Sequence, residues 1–497
     1  MKKSRILLIF IFIFSIVMVI VSCSQQNESE NPDILNNENL ETSAGETQQE
    51  QTIYDILPKK DFGGDTFTIY IPPNPDSPVE KGTYVESMTG ETFNDVVYER
   101  NARIEAEYNV KIQTIYGNTV NSTYDDMKKY VLAGDHAADL YFIHLWGSLP
   151  SIATDGLARQ WIDVPYVDFD KPWWYQSAIK NLNIANKVYF ASSAMSIDDV
   201  LVILFNKSLL QNLALEDPYK LVREGKWTID KLSEMAVAAT EDLNGDGQFD
   251  YRDDRFGLEF GTLWQTPSLM SGCGIVYVTL DDNGYPTFNL DSPKAIDVYE
   301  KIYNLLYQGD KTYCYTGNTP ETWNTPHIGV DSGRVLFCQW NLFNCELLRG
   351  AETDYGILPF PKYDERQEKY WSNSWTGTYC IPSTLPDEKL DMVGIVTEAM
   401  SATGYSDILP VYYGNVLFEK LVRDDESRDM LNIIFSGILY DAGISLDLSM
   451  NPSSPAQFIR GLYNNDKTPD FVSALDKVKD RMSAGYVDLY NRLSEEK

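Results

Sequence analysis

Strand and helix patterns alternate along the first part of this chain. Residues 66–71 (TFTIYI) alternate in polarity and are rich in β-branched side chains, which predicts a strand. Residues 94–108 carry apolar side chains at helical spacing, and residues 110–116 return to a strand pattern. A second helix pattern at 122–133 precedes a third strand at 139–145. Because strand–helix–strand units lay their strands side by side in one direction, this order predicts an α/β fold with a parallel sheet between helices.

Later segments extend the pattern. Residues 200–205 predict an apolar strand, 228–240 a helix with a threonine cap, and 471–493 an amphipathic helix near the C-terminus. Ligands of such sheets bind beyond the carboxyl ends of the strands. His144 and Trp146 follow the third strand and are therefore candidate site residues, with ordinary packing under a loop as the alternative.

The first 23 residues predict the location of the protein. Lys2, Lys3 and Arg5 precede an apolar run at 6–21, which is typical of an export signal; a retained membrane helix is the alternative. Residues 20–23 (IVSC) resemble a bacterial lipobox, in which the cysteine is acylated and becomes the mature N-terminus. We therefore expect a signal peptide at 1–22 and a lipidated Cys23, whose acyl chains, such as palmitate, hold the protein on the extracellular face of the cell membrane.

Charge and composition narrow the range of partners. The 497 residues include 73 acidic and 41 basic side chains, for a net charge of −32, and seven of the acids lie in residues 24–52, which have no base and no aromatic side chain. This stretch predicts a disordered acidic tether over residues 23–53. The acidic balance excludes nucleic acid and disfavours anionic ligands. The hydrophobic content of 43% predicts a folded body with a neutral or cationic partner.

A calcium loop is predicted at residues 242–253 (DLNGDGQFDYRD). Oxygen-bearing side chains stand at loop positions 1, 3, 5, 9 and 12, with glycine at position 6, and Gln248 would contribute its carbonyl. The last position holds aspartate where the usual pattern has glutamate, and an Asx-rich surface turn is the alternative. The proposed ligands of a structural Ca²⁺ are Asp242, Asn244, Asp246, Gln248, Asp250 and Asp253.

Sequence motifs of enzymes are absent. The chain has no Walker A, GxGxxG, GxSxG or HExxH motif, and its three histidines make a zinc site improbable. Cys273 beside glycines could be a nucleophile, but a packed thiol is favoured there and at the other scattered cysteines. We therefore expect no catalytic residues and no organic cofactor.

A series of segments resembles, in order and spacing, the family 1 extracellular solute-binding proteins, the carbohydrate-type components of ABC importers. The similarity covers nearly all of the chain from about residue 60. The segments are 66–71 (TFTIYI), 138–139 (AD), 155–157 (DGL), 161–163 (WID), 187–190 (KVYF), 204–210 (LFNKSLL), 227–229 (WTI), 332–336 (SGRVL) and 354–361 (DYGILPFP).

This resemblance implies a fold, a function and a set of site residues. The fold is a two-lobed, periplasmic-binding-protein-like (type II) clamshell, with residues 54–195 plus 362–405 in lobe 1, residues 196–361 plus 406–497 in lobe 2, and a hinge between the lobes. The ligand-binding residues implied by position are Trp146, Asp198, Asp199, Trp264, Trp340, Trp375 and Tyr379. Indole rings pack on the C–H face of a sugar, while carboxylates and amides bind its hydroxyls.

The expected function is capture of a sugar or oligosaccharide by lobe closure and its delivery to the permease subunits of an ABC importer. A monomer is expected. The alternatives are a binding protein for peptides or another polar solute, and a surface glycan-binding protein or glycosidase.

Overall fold

The computed structural model describes residues 52–72, 78–119, 122–145, 148–250, 253–260, 265–309, 312–314, 333–343, 345, 348, 353–374, 377–414, 424–446 and 454–495, which belong to one unit of the chain. Its strands are β1 (Asp65–Ile71), β2 (Val110–Tyr116), β3 (Leu140–His144), β4 (Ala158–Arg159), β5 (Leu201–Asn206), β6 (Phe256–Phe260), β7 (Val278–Leu280), β8 (Pro286–Phe288), β9 (Thr312–Cys314), β10 (Val335–Asn341), β11 (Tyr355–Leu358), β12 (Ser372–Asn373), β13 (Gly377–Pro382) and β14 (Ile438–Leu439).

The α-helices of the described residues are α1 (Ile53–Ile56), α2 (Pro78–Thr83), α3 (Thr92–Tyr108), α4 (Thr123–Ala133), α5 (Leu149–Thr154), α6 (Gln176–Asn181), α7 (Lys207–Asn212), α8 (Pro218–Arg223), α9 (Ile229–Ala239), α10 (Thr266–Gly272), α11 (Pro293–Tyr307), α12 (Leu390–Thr403), α13 (Leu409–Val411), α14 (Asp425–Ser436), α15 (Ala442–Ser445), α16 (Pro455–Gly461), α17 (Phe471–Asp476) and α18 (Lys479–Glu495). Short 3₁₀ turns lie at Trp161–Asp163, Ile184–Asn186 and Asp387–Lys389, and π-helical turns at Gly404–Ile408 and Leu462–Asp466.

The predicted strands and helices are largely confirmed. The first three strands and the helices α3, α4 and α9 lie within one or two residues of their predicted bounds, and the hydroxyl of Thr228 caps α9 by accepting from the backbone N–H of Lys231. The predicted C-terminal helix is instead two helices, α17 and α18. Among the described residues, the structure contains no helix of the length and apolar character required to cross a membrane.

The first sheet has the strand order β2-β1-β3-β13-β4. β1 pairs in parallel with β2 and with β3, which confirms the parallel arrangement predicted for these strands. β13 comes from much later in the chain and pairs antiparallel with β3 and with β4. This pairing sets Gly377 opposite His144 at the carboxyl end of β3.

The second sheet has the strand order β11-β5-β10-β6-β9. β10 runs antiparallel to β5, so that Asn341 lies opposite Leu201, and it runs parallel to β6, which is parallel to β9. The carboxyl ends of β6, β9 and β10 therefore meet the beginning of β5 at one edge of this sheet.

Three segments of the chain lie between the first sheet and the second sheet. We call them the crossing segments: residues 191–200, 372–374 and 437–441. The first of them leaves the first sheet where Ala191 bridges Tyr379 and reaches β5 where Val200 bridges Ser374. β12 and β14 pair in parallel, which lays the other two crossing segments side by side. The carboxyl end of β3 in the first sheet and the carboxyl ends of β6, β9 and β10 in the second sheet lie next to these segments.

Helix α12 packs directly on the first crossing segment. The Ser401 hydroxyl donates to the Ser193 hydroxyl at 2.8 Å. A Cβ atom added to Gly404, at the end of this helix, would lie 2.0 Å from the carbonyl oxygen of Ala194. Only glycine permits this approach of the two backbones.

Buried carboxyl groups lie in the same region. The two carboxyl oxygens of Glu398 on α12 each accept from an indole N–H, of Trp173 and Trp174, at 2.9 Å. Asp441 accepts from the backbone N–H groups of Tyr277 and Gly443 at 2.6 and 2.7 Å. Burial nonetheless raises the pKa of Glu398 to about 7 and the pKa of Asp441 to about 7.

These raised pKa values predict that the protein becomes less stable as the pH rises through 7. Unfolded carboxyl groups lose their protons near pH 4, so the folded chain holds extra protons that it gives up only near neutrality. The loss is on the order of 1 kcal/mol per group between pH 6.5 and 8.5. Thermal melting at these two pH values should show a lower midpoint at pH 8.5, and Glu398→Gln should reduce the difference. A midpoint that rises with pH would contradict the prediction.

Candidate functional site

Polar residues lie at the edges of both sheets that adjoin the crossing segments. His144 ends β3 of the first sheet, and burial lowers its pKa to about 4, which keeps the imidazole neutral at physiological pH. Asn341 ends β10 of the second sheet, and Asp199 precedes β5 beside it. Gln265 lies just beyond the carboxyl end of β6. In α/β folds this edge is where ligands bind.

Three of these side chains form a hydrogen-bonded series, which we call the amide relay (Gln265, Asn341 and Asp199). The Gln265 Nε2 donates to the Asn341 Oδ1 at 2.9 Å, and the Asn341 Nδ2 donates to the Asp199 Oδ2 at 2.8 Å. The backbone N–H of Phe343 donates to the other Asp199 oxygen at 3.1 Å. Burial raises the pKa of Asp199 to about 6, so the carboxyl group is ionised above that pH.

Unpaired polar atoms lie on β10, which carries Asn341, and at or within α10, which begins directly after Gln265. The Oε1 of Gln265, which is 7% exposed, has no hydrogen-bond partner in the described part of the chain. The same holds for both amide atoms of Gln339, a fully buried residue on β10, and for the hydroxyls of Ser268 and Ser271 on α10. A buried polar atom without a partner costs about 1–3 kcal/mol, and folded proteins contain few of them. Water or a bound molecule can supply the missing partner of such an atom.

Asp198, one of the predicted ligand-binding residues, lies at the centre of the crossing segments and is 3% exposed. Its Oδ1 accepts from the hydroxyl of Ser374 at 3.0 Å and from the hydroxyl of Tyr440 at 3.0 Å. Each of the three residues belongs to a different crossing segment. Asp198 therefore ties the three segments together, and its contact with a ligand stays a prediction.

Two predicted aromatic residues are buried. Tyr379 on β13 is 1% exposed, and its hydroxyl lies 3.4 Å from the hydroxyl of Thr83. Trp340 is 5% exposed and packs with Val202 and Leu204, on the face of the second sheet opposite to Gln339 and Asn341. The three other predicted aromatic residues (Trp146, Trp264 and Trp375) and the predicted lipidation site Cys23 lie outside the described residues.

The predicted calcium loop is held closed by its own backbone. Asp242 accepts from the N–H groups of Gly245 and Gly247 at 2.7 and 2.8 Å, and both glycines have positive φ. The buried Asp254, which sequence reasoning missed, accepts from the N–H groups of Leu243 and Asp250 and joins the two ends of the loop.

The donors of this loop fit calcium by type, because all of them are hard oxygen atoms. Among the other predicted ligands, Asn244 and Asp246 each accept a backbone N–H at 2.8 Å, and Gln248 and Asp253 are exposed, so their binding of calcium stays a prediction. Within the described ranges, no three His, Cys, Asp or Glu side chains converge closely enough to hold a metal ion. The loop would have to draw its carboxylates together on binding.

The geometry offers no activated nucleophile at the one cysteine considered for that role. Cys273 is fully buried, and burial raises the pKa of its thiol to about 12. Cys338, Cys345 and Cys380 are likewise buried, and none of them forms a disulfide bond within the described residues.

Sequence reasoning missed the amides Gln265, Gln339 and Asn341. One signal could have found two of them. Gln339 and Asn341 occupy alternate positions of an otherwise apolar strand (VLFCQWN), so they share one face and interrupt a hydrophobic surface.

Solved structures resemble this fold over most of its length. The crystal structure of a cyclo/maltodextrin-binding protein complexed with maltotetraose has a TM-score of 0.56 and 14% identity, covering 85% of this chain and 97% of that chain. An ABC transporter solute-binding protein from Thermotoga lettingae bound with α-D-tagatose has a TM-score of 0.51 and 14% identity, covering 86% and 100%. The ABC substrate-binding protein Lmo0181 from Listeria monocytogenes, in complex with cycloalternan, has a TM-score of 0.52 and 13% identity, covering 85% and 99%.

No protein-family model matches the sequence, and no curated protein matches it. The structural likeness shows that the chain has the two-lobed α/β fold of these binding proteins, which confirms the fold class predicted from the sequence.

Proposed function

We propose that this protein is an extracellular, lipid-anchored solute-binding protein that captures a sugar or oligosaccharide by lobe closure and delivers it to the permease subunits of an ABC importer. It acts as a monomer and performs no chemistry on its ligand. The proposed lobes are residues 54–195 with 362–405 and residues 196–361 with 406–497. The membership of the strands supports this division, because the first sheet draws its strands from the former set and the second sheet from the latter.

The unpaired amide and hydroxyl atoms of Gln265, Gln339, Ser268 and Ser271 carry this proposal. Uncharged groups that both donate and accept suit a polyhydroxylated neutral ligand, whereas an anionic ligand would meet Asp199 and a chain with a net charge of −32. The three solved structures named above hold saccharides, which places sugars before peptides as the class to test.

Calorimetric titration of the full-length protein in detergent tests the proposal. We expect saturable binding of at least one of maltotetraose, tagatose and cycloalternan, and no binding of mixed tri- and tetrapeptides at the same concentrations. Binding of peptides alone would support the alternative solute class. Release of free sugar from maltotetraose would contradict the absence of catalysis.

The lipid anchor is tested by replacing the proposed acylation site. Cys23→Ala removes the only thiol of the lipobox-like segment, so we expect the protein to move from the membrane fraction to the medium or the soluble fraction. Cys273→Ala, which alters a buried thiol, is the matched control and should stay with the membrane. Retention of Cys23→Ala in membranes would favour an uncleaved membrane helix.

We also propose that the loop at residues 242–253 binds a structural Ca²⁺. A chelator should then lower the melting temperature, and added Ca²⁺ should restore it, because a ligand that binds only the folded state stabilises it by mass action. Asp246→Ala should abolish the response while leaving the melt in chelator unchanged, since its side chain bonds only within the exposed loop among the described residues. Identical melts of the original protein in both conditions would refute the site.

A further inference from the structure

The unpaired atoms beside the amide relay specify which groups a ligand must present. We propose that Gln265 and Gln339 are the residues that read the hydroxyl groups of the saccharide, and that Asn341 and Asp199 are positioning residues that set the orientation of the Gln265 amide. This inference rests on the saccharide-binding function proposed above and adds its specificity-determining residues.

The direction of the amide relay follows from its fixed end. The ionised Asp199 can only accept hydrogen bonds, so the Asn341 amide must turn its Nδ2 toward the carboxylate. In this orientation the Asn341 Oδ1 faces Gln265, and because it is an acceptor, Gln265 must donate to it with its Nε2. The atom left at the far end of the relay is the Gln265 Oε1, an acceptor. A group that binds there must donate, as a sugar hydroxyl does.

Gln339 contributes a different requirement. It lies two residues before Asn341 on β10 and therefore on the same face of the sheet. Both of its amide atoms are unpaired within the described residues, although the residue is fully buried. A carboxamide with both atoms free matches two neighbouring hydroxyls, one donating to the Oε1 and one accepting from the Nε2. Two adjacent hydroxyls of a pyranose supply this pair.

The two glutamines together favour a neutral ligand rich in hydroxyls over a peptide or an anion. An anionic group has no proton to give to the Gln265 Oε1, and its charge would lie close to Asp199. A peptide offers one N–H per residue at wide spacing, whereas a sugar ring presents adjacent hydroxyls. Sites built to bind hydroxyls discriminate strongly against ligands that lack them.

The test compares three methionine variants, which keep the length of glutamine and remove its amide. Maltotetraose, tagatose and cycloalternan are titrated at pH 7.5 into Gln265→Met, Gln339→Met and, as the matched control, Gln113→Met. Gln113 lies on the exposed side of β2 in the first sheet, where its Nε2 also donates one hydrogen bond, to the Thr68 hydroxyl. We expect a loss of about 10–100-fold in affinity for the first two variants and less than a twofold change for the control.

Melting of the ligand-free proteins separates binding from folding. Removing the unpaired amide of Gln339 should raise the melting temperature by about 1–3 °C while binding weakens. A lower melting temperature together with weaker binding would indicate a structural role for Gln339 and overturn its assignment. A double-mutant cycle tests the positioning residue: Asp199→Asn should weaken binding severalfold in the original protein and have no further effect in Gln265→Met.

The outcomes separate this inference from the function on which it rests. If the original protein binds a saccharide and both Gln265→Met and Gln339→Met bind it within twofold, the inference is overturned and the proposed function stands. If the original protein binds none of the three saccharides and binds peptides, the proposed function fails, and the inference fails with it.

Discussion

Asp198→Ala is expected to lower the free energy of unfolding by about 3–5 kcal/mol. The substitution leaves two buried hydroxyls, of Ser374 and Tyr440, without the acceptor that now lies 3.0 Å from each. Because these residues sit on different crossing segments, the loss also loosens the connection between the two sheets. Chemical denaturation monitored by tryptophan fluorescence measures the change.

The neighbouring aspartate is the control. Asp199 is only half-buried, and Asp199→Ala should lower the unfolding free energy by about 1 kcal/mol while weakening saccharide binding. Asp198→Asn removes the charge but keeps an amide oxygen at the Oδ1 position that can accept from both hydroxyls, and it should recover at least half of the stability lost in the alanine variant. If Asp198→Ala melts like the original protein and no longer binds saccharide, Asp198 contacts the ligand, as the family resemblance implied.

Gly404→Ala is expected to destabilise the protein by at least about 3 kcal/mol. Its Cβ would lie 2.0 Å from the carbonyl oxygen of Ala194, a backbone atom that cannot rotate away as a side chain can. Helix α12 and the first crossing segment would have to separate, which also breaks the hydrogen bond between Ser401 and Ser193. Thermal melting and the yield of soluble protein measure the effect.

A second helical glycine gives the comparison. Gly461 ends α16, has helical φ and ψ, and has no described atom within 4 Å of an added Cβ. Gly461→Ala should leave stability unchanged or raise it by up to about 1 kcal/mol, because alanine loses less backbone entropy on folding. Equal midpoints for the two alanine variants would mean that the approach of Gly404 to Ala194 is not tight in solution.

The parts of the fold that depend on residues close to one another along the chain could be predicted from the sequence. Alternating patterns identified β1, β2 and β3 and the helices between them, and their parallel pairing followed. The insertion of β13 between β3 and β4 could not be predicted in this way, because periodicity describes which face of a strand is buried and not which distant strand lies beside it.

The site shows the same limit at the level of single residues. Asp198 and Asp199 are adjacent and chemically identical, yet one is enclosed by the crossing segments and the other supports the amide relay. The direction of the backbone at the beginning of β5 determines which environment each side chain enters. This direction cannot be read from the pattern of residue types. Gln339 and Asn341 can be recognised in the sequence because they are amides on one face of an otherwise apolar strand. Gln265 has no such pattern around it, and Trp264 beside it is the more prominent candidate for sugar binding.

The position of β13 has a consequence for how the chain acquires its structure. All strands of the second sheet precede β13 in the sequence, so that sheet can be complete while the first sheet still lacks a central strand. Until residues 377–382 have been synthesised, β3 and β4 have no partner between them, and the N-terminal part of the chain exposes an unfinished edge. Long-range closure of this kind is slow compared with local pairing. We therefore expect the first sheet to be completed only after residues 377–382 have left the ribosome, later than the second sheet.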